Sequence, residues 1–138
     1  MITLLPVPTV NVPETRVLWE PFLRKISKRT KIQFEDLMSD AVTGRVQLHL
    51  AWDDEQNKAR ALAGTQLEKN GADELICHLV WCTGDAMTEW VNLVDDIALW
   101  AKSHIGCVGI KATARPGWVK FLQPKGYRVT HVVMERAL

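Results

Sequence analysis

Four side chains near the middle of the sequence have the chemistry to move a proton or attack a carbonyl: His49, Cys77, His78 and Cys82. An imidazole can take and return a proton near neutrality, and His78 is the candidate general base. The alternative is a core histidine tied to a backbone carbonyl, and the residues alone leave both open. His49 could neighbour it across a sheet. A cysteine nucleophile needs an exposed, electropositive setting, whereas the apolar run around Cys77 and Cys82 points to packing. The four lack the paired short spacing of a zinc site, so no metal is expected.

His78 must be positioned by the stretch Asp73 to Cys82 (DELICHLVWC). Leu75, Cys77, Leu79 and Trp81 fall on one alternating side and Ile76, His78, Val80 and Cys82 on the other, as in a strand covered on both faces. Thr83, Gly84 and Asp85 break this pattern. Met87, Trp90, Val91, Val94, Ile97, Ala98 and Ala101 then recur at helical spacing up to Ile105, where Gly106 supplies the stop.

The flanking elements follow from the same rules. Met1 to Val10, interrupted by Pro6 and Pro8, reads as a short edge strand. Asn11 is expected to cap a helix that holds the stripe Val17, Leu18, Phe22, Leu23 and Ile26, kinked or restarted at Pro21, and a second helix spans Gln33 to Ala41. Arg45 to Trp52 alternates as a half-buried strand; with Lys58 to Glu68 and the His78 strand it makes an antiparallel meander. Cys107 to Thr113 reads as a strand, Arg115 to Gln123 as a helix and Tyr127 to Arg136 as a last strand. The crossover from Ala72 through Ala112 requires parallel neighbours, and ligands are expected where they open.

The chain has 138 residues, 47% of them hydrophobic, enough for one domain over 1–138 with a full core and no staples. Seventeen basic against sixteen acidic residues give a net charge of +1, which excludes a strongly charged partner surface, so nucleic acid is not an expected partner. The run Arg24 to Lys31 (RKISKRTK) reads as a solvated helix end, with an anion patch as the alternative. Three cysteines, an odd number, point to a reducing compartment. MITLLPVPTV has no signal-peptide pattern and no stretch reaches membrane-spanning length, so a cytoplasmic, non-membrane protein is expected. Six tryptophans suggest that one or two are exposed as contacts.

The element order, the junction Cys82 to Ala86 and the ending ARPGWVKFLQPKGYRVTHVVMERAL resemble the GNAT superfamily of acyl-CoA-dependent N-acyltransferases. Gly126-Tyr127 matches the family's glycine-aromatic step, and Val133 to Arg136 with Leu138 its closing strand. The resemblance implies an α/β (α+β) fold, a mixed central sheet of six to seven strands flanked by about four helices. It implies acetyl-CoA in a gap between the His78 strand and Cys107 to Thr113; the residues alone do not decide whether that gap is open or filled by side chains such as Trp81 and Trp118. Backbone groups of Trp81 and Cys82 would pair with the pantetheine arm, and N–H groups of Thr83, Gly84, Asp85 and Ala86 would hold the pyrophosphate. Arg115 and Trp118 would meet the nucleotide by charge and stacking, with an ordinary helix surface and a core anchor as the alternative, and His78 would take the amine proton.

The sequence departs from the family in three places. Cys82 to Met87 lacks the pattern of Arg or Gln, two residues, Gly, one residue, then Gly or Ala; Asp85 is expected to cap the helix there itself. Leu122 stands where the family often has a tyrosine acid, and only the final strand after Gly126 has room to form. Two functions therefore stand side by side. One is an N-acyltransferase with a degenerate cofactor motif, acting on an amine that is a small molecule or a protein. The other is an inactive accessory or virion-associated binding protein, as in small GNAT-like products of tailed phages, located in the host cytoplasm or the virion. A homodimer or a larger protein assembly fits either.

Overall fold

In the computed structural model, which describes residues 1–138, five strands form one sheet in the order β1-β2-β3-β4-β5. The strands are β1 Ile2–Val7, β2 Gln47–Asp53, β3 Lys58–Lys69, β4 Leu75–Gly84 and β5 Gly109–Ala112. β1 to β4 are successively antiparallel, and β5 lies parallel to β4. Helices α1 (Arg16–Thr30) and α2 (Phe34–Val42) cover one face, and α3 (Leu93–Trp100) covers the other; α4 (Val119–Leu122) follows β5.

The two cores follow from side-chain period. Trp19, Phe22, Leu23 and Ile26 recur at helical spacing on α1 and meet Leu37 of α2 and Leu48, Leu62 and Trp81 of the sheet. On the α3 side, Ile97 and Ala101 pack on Ala63, Cys77, Leu79 and Cys107, while Trp90 packs on Ala51 and Ala61. β2 is therefore covered on both faces, correcting the half-buried strand expected, and His49 and Ala51 are buried with Leu48 and Leu50.

Several elements differ from expectation for identifiable reasons. α1 starts at Arg16, because Pro13 lacks a donor and the chain first makes a short 3-10 turn at Thr9–Asn11. Asn11 accepts the Thr15 N–H at 3.1 Å through its carbonyl instead of capping the helix, and Pro21 sits inside one unbroken helix. The long helix expected from Met87 to Ile105 is divided into a 3-10 turn at Met87–Glu89, α3, and a π-helical turn at Ala101–Ile105 that ends at left-handed Gly106. The Trp90 indole N–H, bonded to the Asp85 carbonyl at 2.6 Å, ties the first turn back to the end of β4 and sets it apart from α3.

β4 carries a bulge. Gly64 pairs with Trp81 but Thr65 with Leu79, so Val80 is an extra residue. Val80 and Trp81 consequently both face α1 and α2, and Cys82 turns to the α3 side with Leu79, which reverses the faces expected for Trp81 and Cys82. The last expected strand does not form. Tyr127 to Leu138 runs outside the sheet with Val129, Val132, Val133 and Met134 exposed, leaving five strands rather than six or seven and β5 at the edge. No tryptophan is exposed, against expectation: Trp19, Trp81 and Trp90 are buried and Trp52, Trp100 and Trp118 half-buried.

Candidate functional site

The candidate site is the fork between β4 and β5. Their pairing runs from Ile76 with Gly109 to Leu79 with Ala112 and ends where the Thr113 N–H donates to the Leu79 carbonyl at 3.1 Å. The Val80 bulge bends β4 at that point, and a cavity of about 400 Å³ opens between Leu79–Cys82 and Ala112–Arg115. Trp118 borders it, and Arg29 and Thr30 reach it from the end of α1.

Glycine keeps the fork open. A Cβ on Gly64 would stand 2.6 Å from the Trp81 ring, so the missing side chain lets the indole lie over β3, within the α1 and α2 core. The gap is thus open and not filled by Trp81.

At the apex of the fork polar groups converge. His78 Nδ1 lies 2.6 Å from Glu68 Oε1 on β3, and His78 Nε2 lies 2.7 Å from Thr113 Oγ1. Lys111 Nζ pairs with the other Glu68 oxygen at 2.5 Å. The Lys111 ammonium, followed by the imidazole, holds the Glu68 carboxyl below its usual range, so it is a carboxylate that can only accept. Neutral His78 must then carry its proton on Nδ1 and present the Nε2 lone pair to Thr113.

At the mouth the balance is reversed. The Arg29 guanidinium donates to the Cys82 carbonyl at 3.2 Å, and neither Arg29 nor Arg115 pairs with a carboxylate. Burial, and then the like charge of Arg115, push the Arg29 pKa down. Two cations that raise each other's cost suit an anion. Glu135 of the C-terminal segment borders the same cavity.

Of the residues expected from sequence, Trp81, Cys82, Arg115 and Trp118 meet around this one cavity, and His78 reaches it through Thr113. Thr83, Gly84, Asp85 and Ala86 do not border it. Thr83 and Gly84 still belong to β4, opposite Leu62 and Ala61, and a Cβ on Gly84 would stand 2.5 Å from the Arg60 carbonyl oxygen, so close strand packing accounts for that glycine. Asp85 is exposed beside Lys25 at 3.7 Å and caps no helix, contrary to expectation. α3 begins only at Leu93, with Asp95 and Asp96 in its first turn, and Lys125 bonds to Asn92 and Asp95 there. Acidic side chains thus occupy the end where an anion would gain from the helix dipole.

Both thiols of β4 are poor nucleophiles. Burial, reinforced by Cys107, raises Cys77 to about 11, and burial against the opposing pull of Arg29 raises Cys82 to about 12. No three His, Cys, Asp or Glu side chains converge to hold a metal, and no helix is long and apolar enough to cross a membrane. Sequence reasoning missed Arg29, Glu68 and Thr113. The basic run Arg24 to Lys31 held a signal for Arg29 in its anion-patch reading; Glu68 and Thr113 had none beyond lying at strand ends.

A second cavity, about 470 Å³, separates the outer edge of β5 from Tyr127–His131. It occupies the flank where a sixth strand would pair.

No family model matches the sequence, and no curated protein matches it. Solved structures do resemble it in fold. A Trypanosoma brucei acetyltransferase superposes with a TM-score of 0.66 at 11% identity, covering 100% of both chains. A probable acetyltransferase gives 0.73 at 11% identity over 100% of this chain and 96% of the other. Glucosamine-6-phosphate N-acetyltransferase from Arabidopsis thaliana gives 0.63 at 10% identity over 99% and 98%. The mixed sheet and its covering helices match the GNAT-like fold of these acetyltransferase structures.

Proposed function

We propose that this chain, with its GNAT fold, moves an acyl group from acyl-CoA to an amine, with the fork as the binding site. The observation that carries the reading is the open gap past Leu79 and Thr113, about 400 Å³ in volume, with two guanidinium groups at its mouth that pair with no carboxylate. Acyl-CoA supplies the activated thioester. The residues fit it: the backbone of Trp81 and Cys82 lines the slot for the pantetheine arm. Arg29 and Arg115 take the phosphates that the acidic start of α3 refuses, and Trp118 offers a ring to the nucleotide. His78, with Nε2 turned toward the cavity wall, takes the proton released by the attacking amine.

Titration calorimetry with acetyl-CoA tests this. Binding is expected, and Arg29→Ala and Arg115→Ala should each weaken it about 10- to 100-fold, the range for a lost charge-assisted hydrogen bond. Absence of both heat and a thermal shift at millimolar acetyl-CoA would remove the reading.

One observation favours a second reading, an inactive binding or assembly component: the carboxylates of Asp95 and Asp96 in the first turn of α3. Co-purification with a larger assembly, together with no cofactor binding, would support it. Turnover with any amine would count against it.

A further inference from the structure

Thr113, His78 and Glu68 stand in the order nucleophile, base and orienting carboxylate. Thr113 Oγ1 is 2.7 Å from His78 Nε2, and His78 Nδ1 is 2.6 Å from Glu68 Oε1, both within the reach that defines such a relay. Thr113 is exposed and lines the fork cavity, whereas His78 is half-buried behind it. The three come from β3, β4 and the end of β5, so the sheet itself holds their spacing. Lys111 fixes the far oxygen of Glu68 at 2.5 Å and stops the carboxylate from rotating away.

We propose that Thr113 is an acyl acceptor, and that the chain carries the acyl group on its Oγ1 before passing it on. The inference deepens the acyl-transfer reading and rests on it for the donor. In the first half, the Thr113 oxygen bonds to the thioester carbonyl carbon as the C–S bond breaks. The hydroxyl proton passes to His78 Nε2 and from there to the departing thiolate, so thioester and threonine become acyl-threonine and thiol. In the second half, an amine or water attacks the ester carbonyl. Its proton passes through His78 to Thr113 Oγ1 as the C–O bond breaks, and the free hydroxyl returns. Glu68 is a positioning residue: it touches no reacting atom and keeps the Nε2 lone pair directed at Thr113.

The test uses the full chain and p-nitrophenyl acetate, an activated ester that needs no phosphate site. A burst of p-nitrophenolate is expected, with one acetyl group per chain by intact mass, mapped to Thr113 by peptide analysis. Thr113→Val should abolish burst and adduct, and Thr113→Ser should retain both. His78→Gln should slow the burst about 10²- to 10⁴-fold, the usual worth of a positioned base. Glu68→Gln should slow it without altering its dependence on ester concentration or the melting temperature, which a merely structural role would not do. An adduct on a lysine or cysteine, a burst that survives Thr113→Val, or no burst from the folded protein would overturn the proposal. The two readings separate cleanly. A Thr113 adduct in a chain that does not bind acetyl-CoA supports the relay and removes the cofactor reading; amine acetylation from acetyl-CoA at full rate in Thr113→Val does the reverse.

Discussion

His49 and His78 lie two strands apart on opposite faces of one sheet, and the protein treats them in opposite ways. His49 faces α3, is 1% exposed, meets the Trp100 ring edge-on at 4.7 Å and has one partner, Thr65 Oγ1 at 2.8 Å. Its Nδ1 is buried without a partner. His78 is half-buried, has a partner on each nitrogen and reaches the wall of an open cavity. An imidazole filling space and one holding a proton path are therefore told apart by their second nitrogen. A core tolerates an orphan there at a cost of about 1–3 kcal/mol, whereas a relay must partner both.

Truncating the two rings should separate the roles most strongly. His49→Ala removes a fully buried ring from between Thr65 and Trp100, and loss of a buried aromatic costs about 3–5 kcal/mol. His78→Ala removes a half-buried ring whose contact with Glu68 is of the partly exposed kind worth no more than about 1 kcal/mol. Urea denaturation of both variants should show the first close to unfolding and the second near the parent. Equal losses would erase the distinction.

Much of this was legible in the sequence and some was not. The meander, the crossover and the parallel pair follow from side-chain period, and the resemblance to the GNAT superfamily then placed Trp81, Cys82, Arg115 and Trp118 beside one gap. The Val80 bulge was not legible, because an inserted residue leaves the apolar run unbroken and shows only in the pairing of Gly64 and Thr65. Nor was the division of the long helix, which depends on the Trp90 indole reaching the Asp85 carbonyl. The relay was hidden for a related reason. Glu68 and Thr113 lie 10 and 35 positions from His78 in sequence, at strand ends where a polar residue reads as ordinary surface.

Acid should act through His49. Burial lowers its pKa from 6.5 to about 4, so between those values the unfolded chain binds the proton more readily than the folded one. The contribution is complete above pH 6.5 and lost as pH falls toward 4, an effect on the order of 3 kcal/mol. Melting temperatures measured from pH 7 to 4 should fall, and fall less in His49→Gln, which cannot take up the proton. Parallel curves for the two proteins would show that His49 is not buried as described, and with it the contrast with His78 would go.

The smallest effect tests the hydroxyl partners. Thr65 and Thr113 each place Oγ1 within 2.8 Å of a histidine Nε2, but the first pair is sealed between β2 and β3 and the second opens on the fork. Thr65→Val keeps the shape and leaves the His49 ring with two unpaired nitrogens out of reach of water, which should cost about 1–2 kcal/mol. In Thr113→Val, solvent in the fork can take the place of the lost hydroxyl at Nε2, and stability should change by about 0.5 kcal/mol or less. Chemical denaturation resolves differences of that size in pairs. A larger loss at Thr113 than at Thr65 would make the fork hydroxyl a structural tie and not a group free to react, so the outcome bears on the acyl-acceptor proposal as well as on the contrast between the two histidines.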